Sequence, residues 1–234
     1  MNMVDIAQLV EHLIVVQKVA RSSRVIHPTK PFPCGRVFSY PNQSSHAERD
    51  TMLHFENDYS QAAHPAVLDA LNAISDDSYP GYGSDAICEQ AKARIREACG
   101  KPDADVWFLV GGTQTNQVVI DAIPPPYAGV VAVESGHPNV HEAGAIEYSG
   151  HKVLTIPHHN GLMDAKELDE FCATFYADGN YEHMVFPGCV YVSQSSEYGT
   201  VYSRERLQAI ADVAHKYDMP LFVDGARLGY ALTA

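Results

Sequence analysis

A chain of 234 residues with 46% hydrophobic content is long enough for one sizeable core, in one domain or two. Its formal net charge of -13 leaves no electrostatic footprint for nucleic acid and would repel an anionic membrane surface, so neither is expected as a partner. Five cysteines, an odd number without a C-x-x-C pair, argue against a disulfide framework or a zinc site and for a reducing cytoplasm; no apolar run approaches the roughly 18 residues of a membrane span.

Residues 1–51 differ in character from the remainder. They carry six Lys/Arg against four Asp/Glu, a net of +2, which leaves -15 for residues 52–234. Ile6, Leu9, Val10, Leu13 and Ile14 recur at helical spacing until Gln17 interrupts the stripe, and a Ser- and Pro-rich run from Ser22 to Ser44 reads as loop or disorder. Asp5, Glu11 and His12 break the apolar stretch a secretory signal requires; Arg21 and Arg24 suit an organellar transit peptide better, although the acids oppose it. The strings I-A-Q-L-V-E-H-L (6–13) and V-Q-K-V-A-R-S-S-R-V (16–25) resemble peptides produced by conceptual translation of a transfer-RNA gene. Residues 1–51 are therefore expected to be a spurious or non-homologous extension that packs little against the rest, with Met52 as the natural start. An authentic targeting or linker segment is the alternative.

From residue 52 onward, helical and strand patterns alternate with short punctuation, which predicts an α/β domain whose mainly parallel sheet is sandwiched by helices. Val67, Leu68, Leu71 and Ile74 mark one helix face after Pro65; Ile87, Ala91, Ile95 and Ala98 mark a second, stopped by Gly100. A strand is predicted at Val106–Val110, then a helix from about Thr113 to Ala122 that three prolines end. Further strands are expected at Val130–Val133, Lys152–Ile156, Val190–Val192 and Leu221–Val223. Between them fall a loop or helix start at Ser135–Asn139 continuing as helix through Ala145, a helix begun by Asp164 and Glu167 in the manner of a capping box, and one capped by Ser203.

Three strand ends carry candidate chemistry. In L-V-G-G-T-Q-T-N-Q, two glycines and the start of a helix offer unpaired N–H groups to an anion, with the Thr113 hydroxyl as an extra donor; an ordinary tight turn with a threonine cap explains the same residues. No G-K-[ST] ending makes it a Walker loop. His137, after the strand at 130–133, suits stacking on an aromatic ring or shuttling a proton, or is a plain loop histidine; His141 and Glu142 beside it read equally as a solvated helix face. Asp224 ends the last strand, where a carboxylate can keep a pyridine nitrogen protonated, and Arg227 can take a carboxylate or phosphate in two parallel bonds. The bland alternative for this pair is an internal Asp224–Arg227 ion pair.

Taken together, F-E-N-D-Y-S-Q-A-A-H-P, Y-P-G-Y-G-S-D, V-G-G-T-Q-T-N-Q, G-H-P-N-V-H-E and D-G-A-R make the chain from about Leu53 to Ala234 similar to the low-specificity threonine aldolases. These lie within the β-eliminating lyase group of pyridoxal-phosphate enzymes of the aspartate-aminotransferase fold. The resemblance implies the large domain of a fold-type I enzyme over residues 52–234, with pyridoxal 5'-phosphate as cofactor and an amino acid as substrate. It implies that Gly112 and Thr113 hold the phosphate, His137 stacks on the ring, Asp224 pairs with its nitrogen and Arg227 takes the substrate carboxylate. Asn57 and Tyr82 fall at the active-site entrance, partly built by a neighbouring subunit of a homodimer or homotetramer, and Glu142 falls where the family has a pocket acid. Where many aldolases carry E-N-T-H, with a histidine that accepts the substrate hydroxyl proton, this chain has S-Q-S-S-E (193–197). The Schiff-base lysine and the C-terminal domain are expected beyond Ala234. The implied reaction splits β-hydroxy amino acids into glycine and an aldehyde; a β-eliminating lyase or aminotransferase of the same fold, or an inactive or partner-binding fragment, are the alternatives.

Overall fold

The computed structural model describes residues 57–59 and 62–233; the expectations for residues 1–51 fall outside them. Two helices lead, α1 (Pro65–Ala73) and α2 (Ala86–Cys99). Pro65 suits the first turn of α1, where an N–H would lack a partner in any case, and the His64 ring accepts the Ala66 N–H at 3.2 Å. Asp85 caps α2 through the Cys88 N–H at 2.9 Å, and Gly100 ends it with a left-handed φ of 61°. Neither helix buries a residue; Leu68, Leu71 and Ile87 on their apolar stripes stay exposed.

The strand predicted at Val106–Val110 does not form. This segment joins no ladder of the sheet and leaves Trp107 and Val110 exposed, so its apolar run lacks the neighbour that would take its backbone hydrogen bonds. Next come α3 (Gly112–Ala122) and β1 (Ala128–Val133). The helix expected through Ala145 is instead two single turns, α4 (His137–Val140) and α5 (Ala145–Tyr148), because Ala143 and Gly144 adopt left-handed φ values of 52° and 76° that no continuous helix accommodates. There follow β2 (Val153–Ile156), α6 (Ala165–Ala177), β3 (Phe186–Ser193), α7 (Arg204–Lys216), β4 (Leu221–Asp224) and α8 (Leu228–Ala231). Asp164 caps α6 through the N–H groups of Lys166 and Glu167, but the Glu167 carboxylate bonds His159 Nε2 at 2.9 Å instead of closing the box.

The four strands pair in the order β2-β1-β3-β4, all parallel. All six residues of β1 are buried because helices cover both faces of the sheet. Val131, Val133, Val190 and Val192 pack with Leu168 and Cys172 of α6 and Ile210 and Ala214 of α7. On the other face Val130, Ala132, Cys189 and Tyr191 pack with Ile120 of α3 and Ile146 of α5. The α/β sandwich expected from the sequence is thus observed. After β1 the chain places β2 on one side and β3 on the other, so the strand order reverses between β1 and β3. Open α/β sheets bind ligands in the crevice at such a point, outside the carboxyl ends of the strands. No helix among the described residues is long and apolar enough to cross a membrane.

Candidate active site

Side chains alternate along a strand, so Asp224 points to the same face as Phe222, which packs with Tyr191 on the α3 side of the sheet. The β3–β4 register sets Ser193 opposite Asp224 and brings both to one rim. Asp224 Oδ2 accepts the Tyr191 hydroxyl at 2.5 Å and Asn116 Nδ2 at 3.1 Å; Oδ1 accepts the Ala226 N–H at 2.9 Å. Burial, reinforced by the Asp224 charge, pushes the Tyr191 phenol far above its ordinary range and keeps it a donor.

Arg227 does not pair with Asp224. Its Nε donates to Asp58 Oδ2 at 2.5 Å and Nη2 to Oδ1 at 3.4 Å, and this bonding raises the guanidinium pKa further. The fork expected to receive a substrate carboxylate therefore already holds one. The same contact ties segment 57–59, including Asn57, to the turn after β4. Tyr82, fully exposed with a φ of 64°, takes no part in this network.

The end of β1 supplies the second part of the site. His137 opens α4, and its Nδ1 lies 2.7 Å from Glu142 Oε1. The Nδ1–H tautomer is the one that donates to this carboxylate oxygen. That hydrogen bond raises the His137 pKa above the ordinary imidazole value, against the opposing effect of burial. The His137 backbone N–H donates to Glu197 Oε1 at 3.1 Å, and Ser193 Oγ donates to the same oxygen at 2.7 Å, which joins the β1 and β3 ends. Glu142 is not on a solvated helix face: it sits between α4 and α5, 3% exposed, and accepts Asn116 Nδ2 at 2.5 Å. Its Oε2 is buried with no hydrogen-bond partner.

The third part is the start of α3, which begins at Gly112, one residue before the predicted position. Gly111 occupies the cap without a side-chain bond, so the threonine-cap alternative for Thr113 is not what forms; Thr115 Oγ1 instead donates to Gly111 O at 3.0 Å. The first helix-bonded amide is Thr115, and Gly112, Thr113 and Gln114 have no intrahelical acceptor for theirs. A Cβ added at Gly111 or Gly112 would meet nothing within 4 Å, so this turn is uncrowded on its Cβ side. Asn116, four residues along, links this turn to Asp224.

The structure thus brings Gly112, Thr113, His137, Glu142, Asp224 and Arg227 to one rim, sets Asn57 beside it and leaves Tyr82 outside. Sequence reasoning missed Asn116, Tyr191 and Asp58. The signal for Asn116 was a polar residue one helical turn after Gly112 on the side that carries Ile120 to the sheet; for Tyr191 it was a hydroxyl on an otherwise apolar buried strand. Among the described residues no lysine joins the network: Lys92 bonds Gly83 O and Glu89, Lys166 pairs with Glu170 and Lys216 with Asp169.

The low specificity L-threonine aldolase of Pseudomonas sp. (strain NCIMB 10558) is 27% identical to this chain over 184 residues, covering 78% of it and 52% of the relative. The low-specificity L-threonine aldolase of Candida albicans is 29% identical over 167 residues, 70% of this chain and 43% of its own. A solved structure of Leishmania major threonine aldolase superposes with a TM-score of 0.72 at 39% identity, over 76% of this chain and 51% of that one. The chain spans about half the length of the curated relatives it matches. Its fold is that of the large domain of fold-type I pyridoxal-phosphate enzymes. With residues 58–234, from Asp58 at the rim through the whole sheet, matching that family, the chain belongs to the beta-eliminating lyases.

Proposed function

We propose that this chain forms the cofactor-binding part of a pyridoxal-phosphate-dependent lyase acting on amino acids. Its reaction is aldol cleavage of L-threonine-like β-hydroxy amino acids to glycine and an aldehyde. The observation that carries this reading is Asp224, a strand-end carboxylate anchored on both oxygens and joined through Asn116 to an open helix start and to the Glu142–His137 pair.

The residues fit the group. Pyridoxal phosphate, when bound, supplies a pyridine ring that takes up the electron pair released at the substrate Cα. Asp224 would hold the proton on the ring nitrogen, which the electron-withdrawing role requires. The amides of Gly112 and Thr113, at the positive end of α3, would hold the phosphate dianion. His137, oriented by Glu142, would stack on the ring. Arg227 receives the substrate carboxylate by exchanging the one it holds from Asp58, a like-for-like replacement in the same two-bond geometry. The exposed stripes of α1 and α2, together with Tyr82, form surface that a second subunit of a homodimer or homotetramer would cover, and Asn57 and Tyr82 would then meet at the entrance.

The test is turnover by the intact protein with added pyridoxal phosphate. L-Threonine or its β-epimer should yield acetaldehyde and glycine in equal amounts. Pyruvate and ammonia from serine, without aldehyde from threonine, would move the assignment to β-elimination.

A further inference from the structure

Asn116, 2% exposed and central to the site, touches neither substrate nor cofactor in the proposed reaction. Its one Nδ2 group faces two carboxylates, Glu142 Oε1 at 2.5 Å and Asp224 Oδ2 at 3.1 Å. Two carboxylates that converge on one atom repel each other, and among the described residues neither is paired with a lysine or arginine: Arg227 is engaged by Asp58, and the basic partner of Glu142 is His137. A neutral group with two hydrogens to give is what such a gap requires. An asparagine amide has them; an aspartate would add acceptors only, and an apolar side chain nothing.

Counting hydrogens shows which atoms remain available. Ser193 Oγ has one, and it goes to Glu197 at 2.7 Å, not to the Tyr191 oxygen at 3.4 Å. The Tyr191 hydrogen goes to Asp224 Oδ2. Oδ2 is therefore occupied by Tyr191 and Asn116, while Oδ1, with only the Ala226 amide, keeps a lone pair for an incoming N–H.

We propose that Asn116 is a positioning residue whose single amide fixes Asp224 and the Glu142–His137 pair in one register, presenting Asp224 Oδ1 to the cofactor ring nitrogen while His137 is set over the ring face. The inference rests on the pyridoxal-phosphate reading. It adds that the two sides of the cofactor site are coupled through α3, and that the coupling lies in one side chain.

The probe is pyridoxine 5'-phosphate, which has no aldehyde to bond a lysine and whose absorption reports the protonation of its ring nitrogen. It is titrated into the intact protein and into Asn116→Ala, Asn116→Asp, Asp224→Ala and Asn116→Ala/Asp224→Ala. Asn116→Asp keeps the shape of the side chain, so a packing defect in the alanine variant does not decide the result. Asn116→Ala and Asn116→Asp should each weaken binding about tenfold, the loss of a charge-assisted hydrogen bond, and shift the bound spectrum toward the unprotonated ring. In the Asp224→Ala background, where only the Glu142–His137 side is left for Asn116 to hold, Asn116→Ala should weaken binding by clearly less than it does with Asp224 present. An equal loss in both backgrounds, or a fully protonated ring in both Asn116 variants, overturns the proposal. Failure of the unaltered protein to bind the probe overturns the cofactor reading, and this proposal with it.

Discussion

His137 and Glu142 show how one contact sets both an orientation and a charge. The pair places a raised imidazole pKa against a carboxylate with 0% side-chain exposure. Because the folded value lies above the unfolded one, the pair's contribution to stability is complete on the acid side of the ordinary imidazole value, about 6.5, and is lost as pH rises through the raised value. Glu142→Gln should therefore return the His137 titration toward about 6.5, followed through its imidazole proton shifts, and should remove that fall in stability on the alkaline side. A His137 titration unchanged in Glu142→Gln would show that the hydrogen bond is not what raises it. Asp58 sets a different balance. Since it fills the Arg227 fork, Asp58→Asn should lower KM for the amino acid with little change in kcat, read from steady-state kinetics. His137, Asp224 and Arg227 were legible in the sequence because each follows a strand pattern and so must lie at a sheet rim. Asn116 and Asp58 were not, because their partners lie 108 and 169 residues away and are fixed only by how α3 and segment 57–59 pack.

The strands β1 and β3 read clearly because both of their faces are buried and both faces must be apolar. Val106–Val110 has the same composition and forms no strand, since composition gives a segment the capacity to pair but not a neighbour. The helix expected through Ala145 failed for a local reason, the left-handed pair Ala143–Gly144, of which only the glycine was a signal. Tight approach between elements makes other positions intolerant. At Gly188 in β3 an added Cβ would lie 2.6 Å from the Cβ atoms of both Ala128 and Pro124, so Gly188→Ala should destabilise the fold by about 1–3 kcal/mol through overpacking. Ile210, 1% exposed where α7 meets the sheet, should cost about 2–5 kcal/mol on Ile210→Ala by leaving a cavity. Denaturant midpoints check both, and a loss under about 0.5 kcal/mol at Gly188 would mean that the α3–β1 connection yields easily.

Burial of the sheet between two helical layers also decides which thiols can react. Burial pushes Cys172 up to about 11 and Cys189 up to about 12, while Cys99 is exposed. A thiol reagent on the native protein should therefore label Cys99 and spare Cys172 and Cys189 until denaturant is added; peptide mapping reads the order. On the opposite side of the functional question, the molecule concentrates its chemistry where the strand order reverses. Through Asn116, the positive start of α3 is joined there to the carboxylates of Glu142 and Asp224, in a chain with a net charge of -13. Such a rim suits a ligand that is anionic at one end and a ring cation at the other. Under the proposed function these two ends have separate tasks, which cofactor dissociation and turnover, measured in parallel in Thr113→Ala and Asp224→Ala, tell apart. Thr113→Ala should release pyridoxal phosphate more readily while keeping most of its turnover at saturating cofactor. Asp224→Ala should lose about one to two powers of ten in turnover, the loss of roughly 1.5–3 kcal/mol of charge-assisted bonding expressed in the transition state. Full turnover in Asp224→Ala would remove the ring-nitrogen role from Asp224.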